Sequence, residues 1–269
     1  MSPTFRCPHC GDPLEELPRE YACANGHHFD RATQGYVNLT LSGRLKGRAA
    51  GDSEAMVRAR RTVFDHGLYQ PVVAAVAALV AADGPRSIVD TGCGEGSYLA
   101  AAVALSGANG WGIDISKFAV RLAAQRHKNH RYAIASSYSM PFSDDSFDIV
   151  LNVFSPRDFS EMTRVLKVGG RAIVVTPGPR HLQQLKALIY DDARLHETPV
   201  ADVTGEPVVD DLHNVSFELP LEDPILRMSL LEMTPYWWST VPSRREEIAR
   251  TPLTVDIDVR IGEYRKSAA

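Results

Sequence analysis

The spacing of hydrophobic and polar residues changes along the chain and divides it into parts. Residues 1–36 carry four prolines and no apolar periodicity longer than a few residues, so this segment cannot bury a core by itself. Further on, a run without helix breakers predicts a helix capped by Asp52 or Ser53 and ending at Asp65. Apolar residues at helical spacing predict a second helix after Pro71.

From residue 86 onward, short β-type runs alternate with helical stretches. The predicted strands are 87–90, 110–114, 132–135, 147–151 and 171–176. The predicted helices between them include 98–105, 117–126, 159–166 and 180–190. This alternation indicates a parallel sheet covered by helices on both faces. Residues 254–261 alternate strictly between apolar and polar, which is typical of a half-exposed strand.

Composition and charge restrict the class of protein. The chain has 269 residues, of which 44% are hydrophobic and 23% charged, with a formal net charge of −4. Its longest apolar run, 71–82, is shorter than the roughly 20 residues of a membrane span. Because no signal peptide is recognisable either, we expect a cytoplasmic protein without a membrane partner. Residues 31–61 hold seven Arg and Lys against Asp52 and Glu54, so a nucleic acid would bind to this local basic segment.

Cysteines cluster near the N-terminus at metal-ligand spacing. A Cys-x2-Cys pair and a Cys-x3-His pair supply four soft or borderline ligands, which are Cys7, Cys10, Cys23 and His27. This set predicts one tetrahedral, structural Zn²⁺ with no open position for catalysis. His9 and His28 are alternatives for the fourth ligand, and three buried structural thiols are the alternative to a metal site.

A glycine-rich turn follows the first predicted strand of the sheet and precedes a helix. Its sequence is Asp90-Thr-Gly92-Cys-Gly94-Glu-Gly96, which differs from the Gly-x-Gly-x-x-Gly dinucleotide fingerprint. The acid that opens the turn would repel a pyrophosphate and attract a cation. Asp114 ends the next strand, where a carboxylate can accept both hydroxyls of a ribose. Together these residues predict a site for S-adenosylmethionine; incidental glycines or a nicotinamide site are the alternatives.

Several further residues are weaker candidates. Ser136-Ser137 stand where many small methyltransferases carry an Asp-Ala pair, and Asn152 to Arg157 should face the transferred methyl. Asn152 and Ser155 could equally be parts of a capped turn. Candidate general bases are Asp158, His181 and Asp65. Candidate stacking aromatics are Tyr69, Phe154, Tyr236, Trp237 and Trp238.

The combination of motifs resembles the RlmA family, whose members methylate N1 of a guanine in a hairpin of 23S ribosomal RNA. The similarity rests on the cysteine cluster, the glycine turn and five other segments: 34–39, 51–61, 67–71, 176–182 and 233–238. It implies an α/β fold with a Rossmann-like class I methyltransferase domain, a mostly parallel seven-stranded sheet and a small N-terminal zinc module. The expected division is 1–36 for the zinc module, 37–85 for a basic linker and helices, and 86–269 for the methyltransferase domain.

The resemblance also implies partners and site residues. S-adenosylmethionine is the expected methyl donor, and the expected RNA lies between the zinc module and the catalytic domain. Cofactor contacts are implied at Tyr69, Gly94, Glu95 and His181. The glycine turn resembles the branch that modifies guanine 745, whereas residues 152–157 resemble the branch that modifies guanine 748, and we expect 745. A homodimer is left open. A methyltransferase for a small metabolite and a nonenzymatic zinc-containing RNA-binding protein are the alternative functions.

Overall fold

The computed structural model describes residues 3–41, 51–190 and 209–267. In chain order, its N-terminal elements are β1 (Glu15–Glu16), β2 (Glu20–Ala22), β3 (His28–Asp30), β4 (Val37–Asn38), α1 (Glu54–Asp65) and α2 (Gln70–Ala81). The alternating region follows as β5 (Ser87–Thr91), α3 (Ser97–Ser106), β6 (Asn109–Asp114), α4 (Lys117–Arg126), β7 (Arg131–Ile134), β8 (Phe147–Val153), α5 (Phe159–Val165), β9 (Leu166–Pro177) and α6 (Gln183–Ile189). The last elements are β10 (Asp211–Leu221), α7 (Pro224–Glu232), α8 (Tyr236–Ser239), α9 (Pro242–Arg250) and β11 (Leu253–Arg265).

Eight strands form one mixed sheet in the order β10-β11-β9-β8-β5-β6-β7-β4. The six strands from β4 to β9 pair in parallel, and β11 pairs antiparallel with both β9 and β10. Burial follows the expected pattern, since every residue of the central strand β5 is buried. The predicted α/β fold with a mostly parallel sheet and a small N-terminal module is thereby confirmed.

Strand β4 was not among the predicted strands of this sheet. The two-residue strand β4 begins the segment 37–85 that the sequence assigned to a linker, and it pairs with β7 as an eighth strand. Its Val37 side chain is fully buried, and the amide of Leu39 donates to the carbonyl of Ile134 at 3.0 Å. Burial and backbone pairing therefore fix these residues, whereas a run of two residues is too short to show any periodicity.

The sheet separates two apolar cores, and the N-terminal module covers one of its faces. Phe5 lies against Phe142 with ring centroids 5.3 Å apart, and Phe142 in turn contacts Phe147 at 4.7 Å. The amide of Arg6 also donates to the carbonyl of Pro141 at 2.8 Å. The module is thus packed directly on the sheet. The helices α2, α3 and α4 contribute to the core on the opposite face.

The helices begin and end where their sequences dictate. Ser53 caps α1, because its side chain accepts from the amide of Met56 at 3.3 Å, and Pro71 lies in the first turn of α2. Within the described ranges, no single helix is long and apolar enough to cross a membrane. Helices α1 and α2 meet that criterion only when they are taken together across a bend of 84°.

Candidate cofactor cavity and zinc centre

The four predicted zinc ligands converge in the N-terminal module. The donor atoms of Cys7, Cys10, Cys23 and His27 all lie within 4.8 Å of one another. Nδ1 of His27 is 3.3 Å from Sγ of Cys23, and the sulfurs of Cys10 and Cys23 are 3.7 Å apart. Zinc–sulfur bonds of about 2.3 Å at tetrahedral angles place two sulfurs about 3.8 Å apart. The group therefore fits a tetrahedral Zn²⁺, and four protein donors would fill its coordination.

The two alternative histidines lie outside this group. His28 is paired with Glu20 at 3.1 Å, and its side chain is 58% exposed. The ring of His9 stacks on the ring of His27 with centroids 4.9 Å apart, so it packs beside the ligand. The turn Cys23-Ala-Asn-Gly-His27 brings its two ends together because Gly26 adopts a positive φ of 76°.

A cavity of about 980 Å³ opens at the carboxyl ends of the parallel strands. Open α/β sheets bind ligands at this edge, and the volume suits a cofactor-sized molecule. Seven of the eight predicted cofactor residues line it, namely Tyr69, Asp90, Gly92, Gly94, Glu95, Asp114 and His181. The eighth, Gly96, lies outside the cavity wall.

Asp90 is a buried carboxylate that opens the glycine turn. It is 1% exposed, and its Oδ1 has no hydrogen-bond partner among the described residues. Burial, and to a smaller extent the neighbouring carboxylates of Asp114 and Glu95, raise the pKa of Asp90 to about 8. A buried carboxylate oxygen without a partner suits a cationic group. The positively charged methionine end of S-adenosylmethionine therefore fits this part of the cavity.

Asp114 holds the other side of the turn through its two oxygens. Oδ2 accepts from the amide of Gly94 at 3.0 Å, and Oδ1 accepts from the amide of Ser116 at 2.8 Å. Burial raises the pKa of Asp114, while these two amides lower it. Each carboxylate oxygen can accept a second hydrogen bond, so Asp114 retains acceptor capacity toward a ribose.

Glu95 and Gly96 of the turn have structural roles. The Glu95 carboxylate accepts from Nη1 of Arg61 and from the amide of Ser97, both at 3.1 Å, which ties the turn to α1. Gly96 adopts a φ of 91°, and a Cβ there would meet the side chains of His127 and Tyr132 at 2.9 Å. Packing against these two side chains, rather than the approach of a ligand, therefore requires glycine at position 96.

The rings of Tyr69, His181 and Phe154 form another part of the cavity wall. The hydroxyl of Tyr69 and Nε2 of His181 are 3.3 Å apart, and Phe154 stacks on His181 with centroids 5.6 Å apart. Nδ1 of His181 accepts from the amide of Asp258 at 3.2 Å, so the ring proton is assigned to Nε2, which donates to Tyr69. Burial raises the pKa of Tyr69, which therefore stays a neutral phenol.

Of the weaker candidates, some line the cavity and others do not. Ser136, Ser137, Phe154 and Tyr236 line the cavity. The guanidinium carbon of Arg245 instead lies over Trp237, 3.8 Å from the centre of its ring, and Trp238 is 68% exposed. Neither tryptophan lines the cavity.

The three candidate general bases also differ. Asp158 caps α5 and Asp65 pairs with Arg61, whereas His181 lines the cavity with both ring nitrogens engaged. The amide of Asn152 donates to the carbonyls of Thr91 and Pro156, which is the capped-turn role.

The sequence did not predict that Arg60 and Met233 join two segments across the cavity. Arg60 on α1 pairs with Asp52, and its Nη2 donates to the carbonyl of Met233 at 3.3 Å. These contacts close α1 over the cavity against the segment that leads into α8. Positions 60 and 233 belong to segments that carry the family resemblance, but no local pattern assigns them to a site. The basic residues Arg44, Lys46 and Arg48 lie outside the described residues.

Comparison with known proteins agrees with both parts of the chain. Residues 5–40 match the family model of the RlmA N-terminal zinc ribbon, and residues 84–222 match a methyltransferase domain model. The YcgJ protein of Bacillus subtilis superposes with a TM-score of 0.51 at 18% identity, covering 72% of this chain and 99% of that one. This likeness shows the fold alone.

Two relatives match this chain over nearly its whole length, and a third matches about two thirds of it. A candidate 23S rRNA (guanine-N1)-methyltransferase of Micromonospora griseorubida is 35% identical, with 98% of each chain covered. The 23S rRNA (guanine(748)-N1)-methyltransferase of Streptomyces fradiae is 40% identical over 67% of this chain and 66% of its own length. YxjB of Bacillus subtilis is 31% identical, with 96% of each chain covered. The chain belongs to the RlmA family of S-adenosylmethionine-dependent methyltransferases.

Proposed function

We propose that this protein transfers a methyl group from S-adenosylmethionine to N1 of a guanine in a hairpin of 23S ribosomal RNA in the bacterial cytoplasm. The observation that carries the proposal is the unpartnered Asp90 oxygen in a cavity of about 980 Å³, in a chain that also bears the RlmA zinc ribbon. The named function of the relatives supports the substrate. A small-metabolite methyltransferase needs no zinc ribbon, and a nonenzymatic binding protein needs no cofactor cavity.

The cofactor residues have distinct proposed tasks. Asp90 and Gly92 receive the methionine end, and Asp114 receives the ribose hydroxyls. Tyr69, Gly94, Glu95 and His181 complete the walls, and Gly96 acts indirectly by letting α3 pack. When bound, S-adenosylmethionine supplies an electrophilic methyl group. We propose that Cys7, Cys10, Cys23 and His27 hold a zinc ion whose role is to keep the module folded.

The aromatic side chains that line the cavity are suited to binding the guanine base. Tyr69, Phe154 and Tyr236 line the cavity, and their faces can hold a guanine that has been unstacked from the hairpin. Guanine N1 carries a proton at neutral pH, so the site must favour its loss or stabilise charge on O6. Both nitrogens of His181 are engaged, and its contribution is to orient Tyr69.

Two positions in the hairpin are candidates. The name of the 40% identical relative from Streptomyces fradiae supports guanine 748, whereas the glycine turn of this sequence favours 745. We propose 748 as the first position to test, because residues 152–157 after β8 also resemble that branch. The division into zinc module, linker and catalytic domain stays a proposal, as does a homodimer, which light scattering would test.

The experiment is methylation of a transcribed 23S hairpin with labelled S-adenosylmethionine. Mass spectrometry should identify 1-methylguanosine, and primer extension should stop at one position, because an N1 methyl blocks base pairing. Transcripts with adenine at 745 or at 748 serve as matched controls, and only one of them should lose the product. Absence of methylguanosine from every transcript would contradict the proposal. RNA binding without methylation would support the nonenzymatic alternative.

A further inference from the structure

The outer surface of α4 has an unusual charge composition. Residues 115–143 contain five Arg and Lys and no Asp or Glu, in a chain whose formal net charge is −4. Helix α4 lies in this stretch, and its exposed positions include Lys117, Arg121 and Lys128 just beyond its end. Phe118 lies beside Lys117 and is 41% exposed.

Two of the five cations already have partners. Arg126 pairs with Asp65 at 3.4 Å, and Arg131 pairs with Glu16 at 2.8 Å. Lys117, Arg121 and Lys128 make no ion pair with any residue in the described ranges. Three exposed charges on one surface repel one another, which disfavours the folded chain slightly unless an anion lies nearby.

This surface begins at the mouth of the cofactor cavity. Asp114 and Ile115 line the cavity, and Ser116 caps α4 while its hydroxyl donates to the carbonyl of Asp52 at 2.7 Å. Lys117 is therefore two residues from the cavity wall. The ten residues of α4 extend about 15 Å away from it, and side chains on a helix lean toward its N-terminus. Lys117 and Arg121 lie one turn apart on the same face of α4, and Lys128 follows two residues after the helix ends, so the three cations are distributed along the element that begins at the cavity.

We propose that Lys117, Arg121 and Lys128 bind the phosphate backbone of the RNA whose guanine enters the cavity. The inference rests on the proposed function, since it assigns the surface along which that substrate lies. A row of phosphates matches cations distributed along an element that starts where the reacting base must enter. An acidic protein surface is the competing partner and is distinguished by the test.

The test compares wild-type protein with the variant Lys117→Glu/Arg121→Glu/Lys128→Glu. Fluorescence anisotropy measures binding of the 23S hairpin from 50 to 300 mM salt, and calorimetry measures S-adenosylmethionine binding. Each lost phosphate contact lowers the slope of log affinity against log salt by about 0.7 to 0.9, so the slope should fall by about 2 to 3. RNA affinity at low salt should fall about tenfold or more, with cofactor affinity unchanged and KM for RNA raised.

The matched control is Arg86→Glu/Arg250→Glu/Arg265→Glu, which reverses three exposed cations elsewhere and changes the net charge equally. It should keep the wild-type slope. If wild-type protein neither binds nor methylates the hairpin, the proposed function itself fails. If wild-type methylates the RNA and the α4 variant does so with the same KM and salt slope, the α4 surface does not hold RNA. Binding of an acidic protein would then be the alternative role.

Discussion

The hydroxyl of Tyr69 and Nε2 of His181 lie 3.3 Å apart although the residues are 112 positions apart in the sequence. The contact joins the start of α2 to the loop between β9 and α6. Both side chains are buried, at 2% and 5% exposure, so the hydrogen bond forms away from water. It fixes one wall of the cavity before any ligand enters.

Removing either partner of this pair should therefore destabilise the cofactor-free protein. Tyr69→Phe should lower the free energy of unfolding by about 0.5–1.5 kcal/mol, since one buried hydrogen bond is lost. Tyr69→Phe and His181→Ala should be non-additive in the double variant, because they delete the same contact. Urea denaturation of the four proteins gives the coupling. Strict additivity would mean that the contact contributes nothing.

Asp114→Ala should weaken S-adenosylmethionine binding. The carboxylate is the proposed acceptor for two ribose hydroxyls, and loss of a charged acceptor costs about 1.5–3 kcal/mol, or roughly tenfold to a hundredfold in affinity. Calorimetry checks this. Because Asp114 also holds the amides of Gly94 and Ser116, the free energy of unfolding of Asp114→Ala is measured beside its affinity; Ser116→Ala keeps the carboxylate and both amide contacts and should bind the cofactor like the wild type. An unchanged dissociation constant for Asp114→Ala would remove this residue from the site.

Which residues of the site could be predicted depended on how far apart in the sequence they lie. Asp90, the glycine turn and Asp114 could be predicted because a turn and two adjacent strands form one short continuous segment. Tyr69 and His181 could not be predicted from spacing, since only tertiary packing brings them together. The resemblance alone pointed to them as cofactor contacts.

Two other features escaped prediction for different reasons. Strand β10 alternates in burial along eleven residues, but it contains Pro220, which is tolerated here because β10 is an edge strand. The hydrogen bond from Arg60 to the carbonyl of Met233 depends on how α1 packs against α7. Every residue has a backbone carbonyl, so the residue type at position 233 does not indicate this contact.

The affinity for S-adenosylmethionine should depend on pH through Asp90. With a pKa of about 8 in the cofactor-free protein, the carboxyl is mostly protonated at pH 7 and must ionise to hold a cation. Affinity should therefore rise by about tenfold per pH unit well below pH 8 and level off above it. Binding at pH 7 should release protons, up to about one per cofactor bound, which calorimetry in buffers of different ionisation enthalpy measures. Asp90→Asn should abolish this release.

The same group has a defined effect on stability. Because the folded-state pKa of Asp90 is raised above the ordinary value of 3.8, the folded protein binds more protons than the unfolded chain between about pH 4 and 8. Its contribution should lower the free energy of unfolding as pH rises through that window and stay constant above it. Wild-type protein that gains stability relative to Asp90→Asn between pH 5 and 8 would contradict the assignment.

Zinc removal should unfold the N-terminal module. One Zn²⁺ per chain is expected by elemental analysis, and Cys23→Ser should release it, because metal binding there also supplies folding free energy. Cofactor binding should partly survive, since the cavity residues lie outside residues 5–40. The full-length variant is required, because Arg60 and Tyr69 would be lost with residues 1–85. A Cys23→Ser protein with full zinc content would refute the ligand set.

Gly96 and Gly107 provide a matched pair at the two ends of α3. Both have positive φ, 91° and 72°, but a Cβ at Gly107 meets nothing within 4 Å, whereas a Cβ at Gly96 meets His127 and Tyr132 at 2.9 Å. Gly107→Ala should cost only the left-handed conformation, about 1–2 kcal/mol. Gly96→Ala should add about 1–3 kcal/mol of overpacking. Urea denaturation compares them. Equal losses would show that His127 and Tyr132 move aside at little cost, and the positive φ alone would then account for glycine at position 96.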